Sequence, residues 1–223
     1  MLLALDTATP QVTVALHDGD DVVAEMVSDR TMKHGEQLAP LISEIMAGAG
    51  VVRQDLTAIA VGAGPGPFTG LRVGLVTART LGFALGIPVH AACTLDVLAV
   101  EAVASGVVSI TEGFFVATDA RRKEVYLASY DAEGVRLEGP VVARPAEVAT
   151  SRPVVGEGAL LYPDAFPSAV GPQRPSAGWL ARAVAEELVE LMDPEPLYLR
   201  RPDALEQAAQ KKGQKEGQKK VSP

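Results

Sequence analysis

The chain has 223 residues, a formal net charge of −8 and a pI near 4.9; 48% of its residues are hydrophobic and 4% are aromatic. This length suits one large domain or two of roughly 100 residues each, and the aliphatic composition favours an α/β fold over an all-β fold. The acidic balance argues against a protein that binds bare nucleic acid by itself. Cys93 is the single cysteine, which excludes an internal disulfide bond, and no basic signal-type segment opens the chain, so we expect a cytoplasmic protein.

The first half of the chain has the pattern of three strands followed by two α/β crossovers. Alternating or continuous apolar runs mark the strands, and apolar residues at helical spacing mark the helices. The predicted elements are strands at 2–8, 11–16, 22–27, 57–61 and 88–93, and helices at 38–49, at 70–86 and from Thr94. We expect Thr69 and Thr94 to cap the second and third helices, because a threonine hydroxyl suits that position. The order β-β-β-α-β-α-β-α is that of a ribonuclease-H-like unit.

The second half repeats this strand order without repeating the sequence. Its predicted strands cover 113–119, 124–130, 134–138 and 152–155, and a last helix covers 177–192. We therefore predict an α/β protein of two ribonuclease-H-like lobes, at 1–105 and 106–202, with the second lobe abbreviated. Residues 203–223 contain five lysines and three acidic residues in a low-complexity sequence, so we expect a disordered tail there.

A loop rich in glycine and proline joins the strand predicted at 57–61 to the helix predicted at 70–86. Glycines permit the close approach of another group, whereas prolines stiffen the loop and remove N–H donors. The loop lacks both the Lys-Ser/Thr of a Walker A loop and the G-x-G-x-x-G spacing, so phosphate binding is disfavoured. A substrate and a protein partner stay open as alternatives. The motif residues are Gly64, Pro65, Gly66, Phe68, Thr69 and Arg72.

The second predicted helix carries a small residue at every fourth position. These residues are Gly70, Gly74, Ala78, Gly82 and Gly86. They leave one side of the helix nearly bare, and each glycine costs about 1 kcal/mol of helix propensity. Close packing should offset this cost. The surface that packs there is either the sheet of the same lobe or a helix of a partner.

The two lobes have the layout of actin-type ATPases, in which an Asp on the first hairpin of each lobe helps to hold phosphate and a metal ion. The matching residues are Asp6 and Asp119, but neither hairpin has a glycine that would let backbone N–H groups reach a phosphate. His34 has no second metal ligand at helical spacing, and no Ser-His-Asp arrangement suggests itself. The sequence thus predicts an enzyme fold without reactive groups and without a metal site.

Five segments, in order along the chain, carry a resemblance to a known family. They are Leu3–Ala8, His34 with the helix residues that follow it, Gly64–Gly74, Asp119–Tyr126 and Pro196–Arg200. Together they resemble the TsaB family of the bacterial tRNA threonylcarbamoyladenosine machinery, also classed as glycoprotease-like or peptidase M22-like. The match covers residues 1 to 202. Pro67 departs from it, because the family usually has Ser at this position, and no role of that serine is carried over.

The resemblance implies a two-lobe fold of the actin-like ATPase (ASKHA) superfamily and a non-catalytic role. It implies pairing with a catalytic TsaD-type subunit through the helices of the first lobe, and association with a TsaE-type ATPase. The complex transfers threonylcarbamoyl to adenosine 37 of tRNAs that read codons starting with A, so tRNA is an indirect partner. No cofactor of its own is expected, since ATP, Mg and metal belong to the partner subunits. The interface residues implied are His34, Leu38, Leu41, Ile42, Ile45, Gly70, Gly74, Ala78 and Gly82.

Three alternatives stay open at this stage. A homodimer through the same helices is an alternative state of the isolated protein. A glycoprotease-like metallopeptidase would need a metal and a base, for which the sequence offers His34 and Glu36. An actin-like ATPase or kinase would need carboxylates that hold Mg²⁺, for which Asp6 and Asp119 are the candidates.

Overall fold

A computed structural model describes residues 1–28, 33–108 and 113–200 as two five-stranded sheets with helices packed on them. The first sheet has the order β3-β2-β1-β4-β5 and consists of β1 (Leu2–Asp6), β2 (Thr13–His17), β3 (Val22–Val27), β4 (Ala58–Gly62) and β5 (Val89–Ala92). The second has the order β8-β7-β6-β9-β10 and consists of β6 (Phe114–Asp119), β7 (Val125–Tyr130), β8 (Arg136–Ala143), β9 (Val154–Val155) and β10 (Ala169–Val170). The helices are α1 (His34–Gly48), α2 (Phe68–Leu85), α3 (Thr94–Ala104), α4 (Glu157–Leu161) and α5 (Ala177–Ala185).

The two sheets share one topology, which confirms the prediction of two ribonuclease-H-like lobes. In each sheet the first three strands are antiparallel neighbours, and the next two run parallel to the first strand. The second lobe is abbreviated in its crossovers, since β9 and β10 have two residues each and α4 has five. The sequence pattern misses β10, because two residues are too short for a period to show.

The first lobe is built around β1, which is buried on both faces. Leu3 and Leu5 point into the core beneath α1 and α2, whereas Ala4 points to the opposite face, beneath α5. Burial of such leucines contributes about 1.5–3 kcal/mol each. The large residues on one face and the small one on the other set the distances at which the two helix layers pack.

The last helix belongs to the first sheet, and this corrects its assignment to the lobe at 106–202. Leu180 and Ala181 of α5 pack with Ala4 and Ala15 of β1 and β2. Glu25 of β3 accepts hydrogen bonds from Ser176 Oγ at 2.8 Å and Gly178 N at 3.2 Å, which holds the start of α5. The helix ends at Ala185 instead of 192. The tail predicted at 203–223 lies outside the described residues.

α3 connects the lobes through a buried polar contact. Asp96 accepts a hydrogen bond from the Tyr130 hydroxyl at 2.7 Å and pairs with Arg136 at 3.1 Å. Burial raises the pKa of Asp96, while Tyr130 and Arg136 act in the opposite direction. The carboxylate thus fixes α3 of the first lobe to β7 and β8 of the second.

Both predicted helix caps and two of the predicted helix starts are wrong, whereas the third helix begins at Thr94 as predicted. Pro67, with a φ of −59°, precedes α2, so Thr69 lies inside the helix and does not cap it. Thr94 is the first residue of α3, and its hydroxyl bonds to Asp6 instead of capping the helix. α1 begins at His34, four residues earlier than predicted, which places Pro40 in its second turn. None of the described helices is long and apolar enough to span a membrane.

The small-residue side of α2 packs on its own sheet. Thr7 Oγ1 donates to Gly70 O at 2.8 Å and accepts from Gly74 N at 3.1 Å, so the helix backbone touches the end of β1. A Cβ on Gly74 would lie 2.5 Å from Thr7 Oγ1. Ala78 and Gly82 are buried in the same row. This row of small residues therefore packs on the sheet of its own lobe, which is the first of the two explanations given above. Gly86 instead ends the helix, with a φ of 68°.

We predict that Gly74→Ala lowers the free energy of unfolding by about 1–2 kcal/mol, because the overlap with Thr7 outweighs the gain of about 1 kcal/mol in helix propensity. Gly48→Ala is the matched control, since Gly48 also lies in a helix but has no atom within 4 Å of the position that an added Cβ would take. It should be neutral or stabilising. Urea unfolding followed by circular dichroism measures both, and equal effects of the two substitutions would contradict the packing.

Candidate functional site

Asp6, at the end of β1, is held entirely by the chain itself. Its Oδ1 accepts a hydrogen bond from Ala8 N at 2.6 Å, and its Oδ2 accepts one from the Thr94 hydroxyl at 2.8 Å. Asp6 is 1% exposed. It fits there because Gly62 has no Cβ, which would overlap the carboxylate. Both oxygens are thus engaged inside the first lobe, and burial raises the pKa of Asp6 to about 6.

Asp119, the matching residue of the second lobe, is neutralised by its own hairpin. Its Oδ1 accepts from Arg121 N at 2.8 Å, and its Oδ2 pairs with the Arg121 guanidinium at 3.2 Å. Arg121, Arg122 and Lys123 all have left-handed φ values, 61°, 54° and 61°. The hairpin is therefore a tight turn closed by an arginine, where an actin-type ATPase would have room for a phosphate.

The glycine-proline loop is packed against the first hairpin and is mostly buried. A Cβ on Gly66 would overlap the carbonyl oxygen of Ala8, so only glycine allows this approach. Gly64 O accepts from Thr94 N at 2.7 Å, and Ala63 O accepts from Leu197 N at 2.9 Å. The carbonyl groups of the loop thus hold the start of α3 and the segment at Leu197.

His34 links α1 to the first hairpin. Its Nε2 lies 2.8 Å from Thr9 O, which is hydrogen-bonding distance. Across the described ranges, no group of three or more His, Cys, Asp or Glu residues is arranged to hold a metal ion. The imidazole of His34 therefore contacts a backbone carbonyl, whereas in a metallopeptidase it would have to bind a metal ion.

Most residues chosen from sequence for the partner interface face inward, which corrects that choice. Leu38, Ile42 and Ile45 of α1 belong to the core of the first lobe, as do the four small residues of α2 described above. His34 and Leu41 are half-buried. Apolar residues at helical spacing are typical of the face of a helix that packs on the core. The pattern therefore identified the helices correctly, but the residues chosen as the outward face are the inward ones.

The outward side of α2 carries large apolar residues that the sequence reasoning missed. Val76 is 61% exposed and Phe83 is 90% exposed. An open groove between α1 and α2 is lined by Val76 together with Ala39, Phe68 and Val73. Val76 and Phe83 also line a second open cavity, farther along α2. Val76 and Phe83 lie on the side of the helix opposite the row of small residues. Their positions in the sequence relative to that row therefore indicate that they face outward.

The C-terminal segment, residues 192–200, runs from the first sheet to the second lobe beside the start of α2. Met192 pairs with Ala91 at the edge of β5, through N–O distances of 2.8 and 3.1 Å. Tyr198 stacks on Phe68 with ring centroids 4.9 Å apart. Arg200 donates to Ala120 O at 2.8 Å. The segment thereby places an aromatic side chain next to the groove.

The chain matches, over residues 21–167, the family model described as TsaD: tRNA N6-adenosine threonylcarbamoyltransferase. An uncharacterized protein of Mycobacterium tuberculosis is 41% identical over 208 residues, which cover 91% of this chain and 93% of that protein. The tRNA threonylcarbamoyladenosine biosynthesis protein TsaB of Bacillus subtilis is 33% identical over 61% of this chain and 58% of its own length.

Solved structures agree over nearly the whole fold. The structure of YeaZ from Pseudomonas aeruginosa is 31% identical, with a TM-score of 0.71, and the match covers 89% of this chain and 99% of that one. A second Pseudomonas aeruginosa structure, described as an uncharacterized protein with similarity to peptidase YEAZ, has a TM-score of 0.74 at 30% identity, with the same coverage.

We predict that Asp6→Asn changes the pH dependence of stability. The folded chain keeps the Asp6 proton up to a pH of about 6, against an ordinary pKa of 3.8, so the contribution of Asp6 is fully favourable below pH 3.8 and is lost as the pH rises through 6. The stability of the variant relative to wild type should therefore increase by about 3 kcal/mol between acidic and neutral pH. Urea unfolding at a series of pH values measures this difference, and parallel curves would contradict it.

Proposed function

Because this chain belongs to the TsaB family, we propose that it is the non-catalytic subunit that binds and activates a TsaD-type transferase. Its place is in the biosynthesis of threonylcarbamoyladenosine in tRNA, for which its relatives are named. The reaction proposed for the complex is transfer of threonylcarbamoyl to adenosine 37 of tRNAs that read codons starting with A. The proposal includes a cytoplasmic location.

The observation that carries the proposal is the exposed apolar side of α2. Exposed aliphatic and aromatic residues that line a groove are typical of protein interaction sites. Burial of a side chain such as Phe83 would contribute about 1.5–3 kcal/mol to an association. Val76 and the groove between α1 and α2 extend the same surface. We call Val76, Phe83 and the groove residues Ala39, Phe68 and Val73 the docking face.

The chemistry of the two hairpins supports a non-catalytic role. Asp6 is bonded to Ala8 and Thr94, and Asp119 is paired with Arg121, so neither is presented to a magnesium ion. A kinase or ATPase would need such a carboxylate free to bind the metal. No observation on the described residues favours a metallopeptidase, since His34 bonds to a backbone carbonyl.

The rest of the assembly is part of the same proposal. A TsaE-type ATPase joins the pair, ATP, Mg and metal bind to the partner subunits, and tRNA is reached through the complex. This chain needs no cofactor for that role, because its contribution is a surface that stabilises the active form of the transferase.

We predict that Phe83→Asp and Val76→Asp each abolish a one-to-one complex with the TsaD-type subunit of the same organism. A carboxylate cannot be buried in an apolar contact without a large cost. Because both side chains are exposed, the thermal midpoint of the isolated protein should change little. Size-exclusion chromatography with light scattering measures the complex, and a reconstituted tRNA modification assay measures its activity.

Val135→Asp is the control for this experiment, since Val135 is also 61% exposed but lies in the second lobe, before β8. It should bind like wild type. If Phe83→Asp and Val76→Asp both co-elute with the TsaD-type subunit as wild type does, the docking face is wrong. If the wild-type protein does not associate at all, the proposed role itself fails.

A further inference from the structure

The exposed side of α2 is basic as well as apolar. Arg72 and Arg79 are exposed and follow the same side of the helix as Val76 and Phe83. The helix contains no acidic residue, although the whole chain has a net charge of −8. Within the described residues, no carboxylate forms an ion pair with either arginine. Two cations without counter-charge thus flank the apolar centre of the docking face.

Arg72 is held in one orientation before any partner binds. Its guanidinium lies 3.7 Å from the ring centroid of Phe68, and its Nε donates to the Tyr198 hydroxyl at 2.9 Å. The same tyrosine stacks on Phe68, so the three side chains form one cluster. An arginine fixed in this way uses Nε internally and keeps its two terminal nitrogens for a bidentate carboxylate.

We propose that the TsaD-type subunit presents carboxylates to Arg72 and Arg79 around the apolar contact with Val76 and Phe83, and that Tyr198 positions Arg72 for its ion pair. This inference rests on the proposed function. The two arginines are seven residues apart on one helix, so the carboxylates they select are about 10 Å apart. Two acidic residues separated by two turns of a partner helix would have this spacing.

A second copy of this chain is the competing occupant of the docking face. Its α2 would add two more arginines and no carboxylate. Of the two carboxylates on α1, Glu36 is paired with Lys33 at 3.1 Å and Glu44 is exposed. Two copies would therefore bring the four arginines of their α2 helices together with two further carboxylates, the Glu44 side chains of their α1 helices. Charge complementarity therefore favours a partner that carries acidic groups of its own. RNA phosphates would also attract arginines, but the apolar residues between them favour a protein surface.

The first measurement is the affinity of the wild-type chain for the TsaD-type subunit, by biolayer interferometry at low, intermediate and high salt. Absence of binding here would overturn the proposed function. Given binding, the affinity should fall as salt rises. Arg72→Glu and Arg79→Glu should each weaken binding about tenfold or more, mainly through slower association, and should reduce the salt dependence.

Arg53→Glu is the matched charge reversal, since Arg53 is exposed but lies in the short turn before β4. It should bind within about twofold of wild type. Arg72→Gln and Arg79→Gln provide milder variants if the reversals fold poorly. The inference is overturned if wild type binds and both arginine reversals bind equally well. It is also overturned if they weaken only tRNA binding or only self-association, which light scattering and a filter-binding assay with tRNA would show.

The role of Tyr198 is tested separately, because it acts through Arg72. Tyr198→Phe removes the hydroxyl but keeps the ring that stacks on Phe68. It should weaken binding about threefold in the wild-type background, as expected for the loss of one hydrogen bond, and should have no effect in the Arg72→Gln background. An equal effect in both backgrounds would show that Tyr198 does not position Arg72.

Discussion

Thr7 sets the distance between α2 and the end of β1, and the outward surface of the first lobe follows from that distance. Its hydroxyl bonds to the backbone at Gly70 and Gly74, which is achieved only where the helix has no side chains. Once this side of the helix is committed to the sheet, the remaining side must face solvent. The apolar and basic residues found there are thus displayed by the same contact that stabilises the core.

In this two-lobe fold, the carboxylates of both hairpins already bond to groups of the same chain. Thr94 and Ala8 occupy the oxygens of Asp6, Arg121 occupies those of Asp119, and Leu197 bonds to the glycine-proline loop. The outer surface of α2 exposes Val76 and Phe83, and the proposed role uses these side chains to bind a partner.

Much of the fold could be predicted from sequence, because strand and helix periods depend on local residue patterns. The five strands of the first lobe and the first four strands of the second were predicted correctly. The lobe to which α5 belongs was not predicted correctly. An amphipathic pattern shows that a helix has a buried face, but it does not show which sheet covers that face. The same limit applied to α2, because its row of small residues indicated close packing but did not show which element packs there. Tyr198 accepts a hydrogen bond from Arg72, which lies 126 residues away in sequence, and no local pattern can reveal this pairing.

The return of α5 to the first sheet makes the order of synthesis important for folding. Until residue 177 has left the ribosome, the first sheet has a face of alanines without its cover, even though all five of its strands have been made. A nascent chain at that stage exposes apolar surface and an incomplete core, which are the features that chaperones recognise. The first lobe is therefore completed last, when α5 packs on β1 and β2, the first strands of the chain.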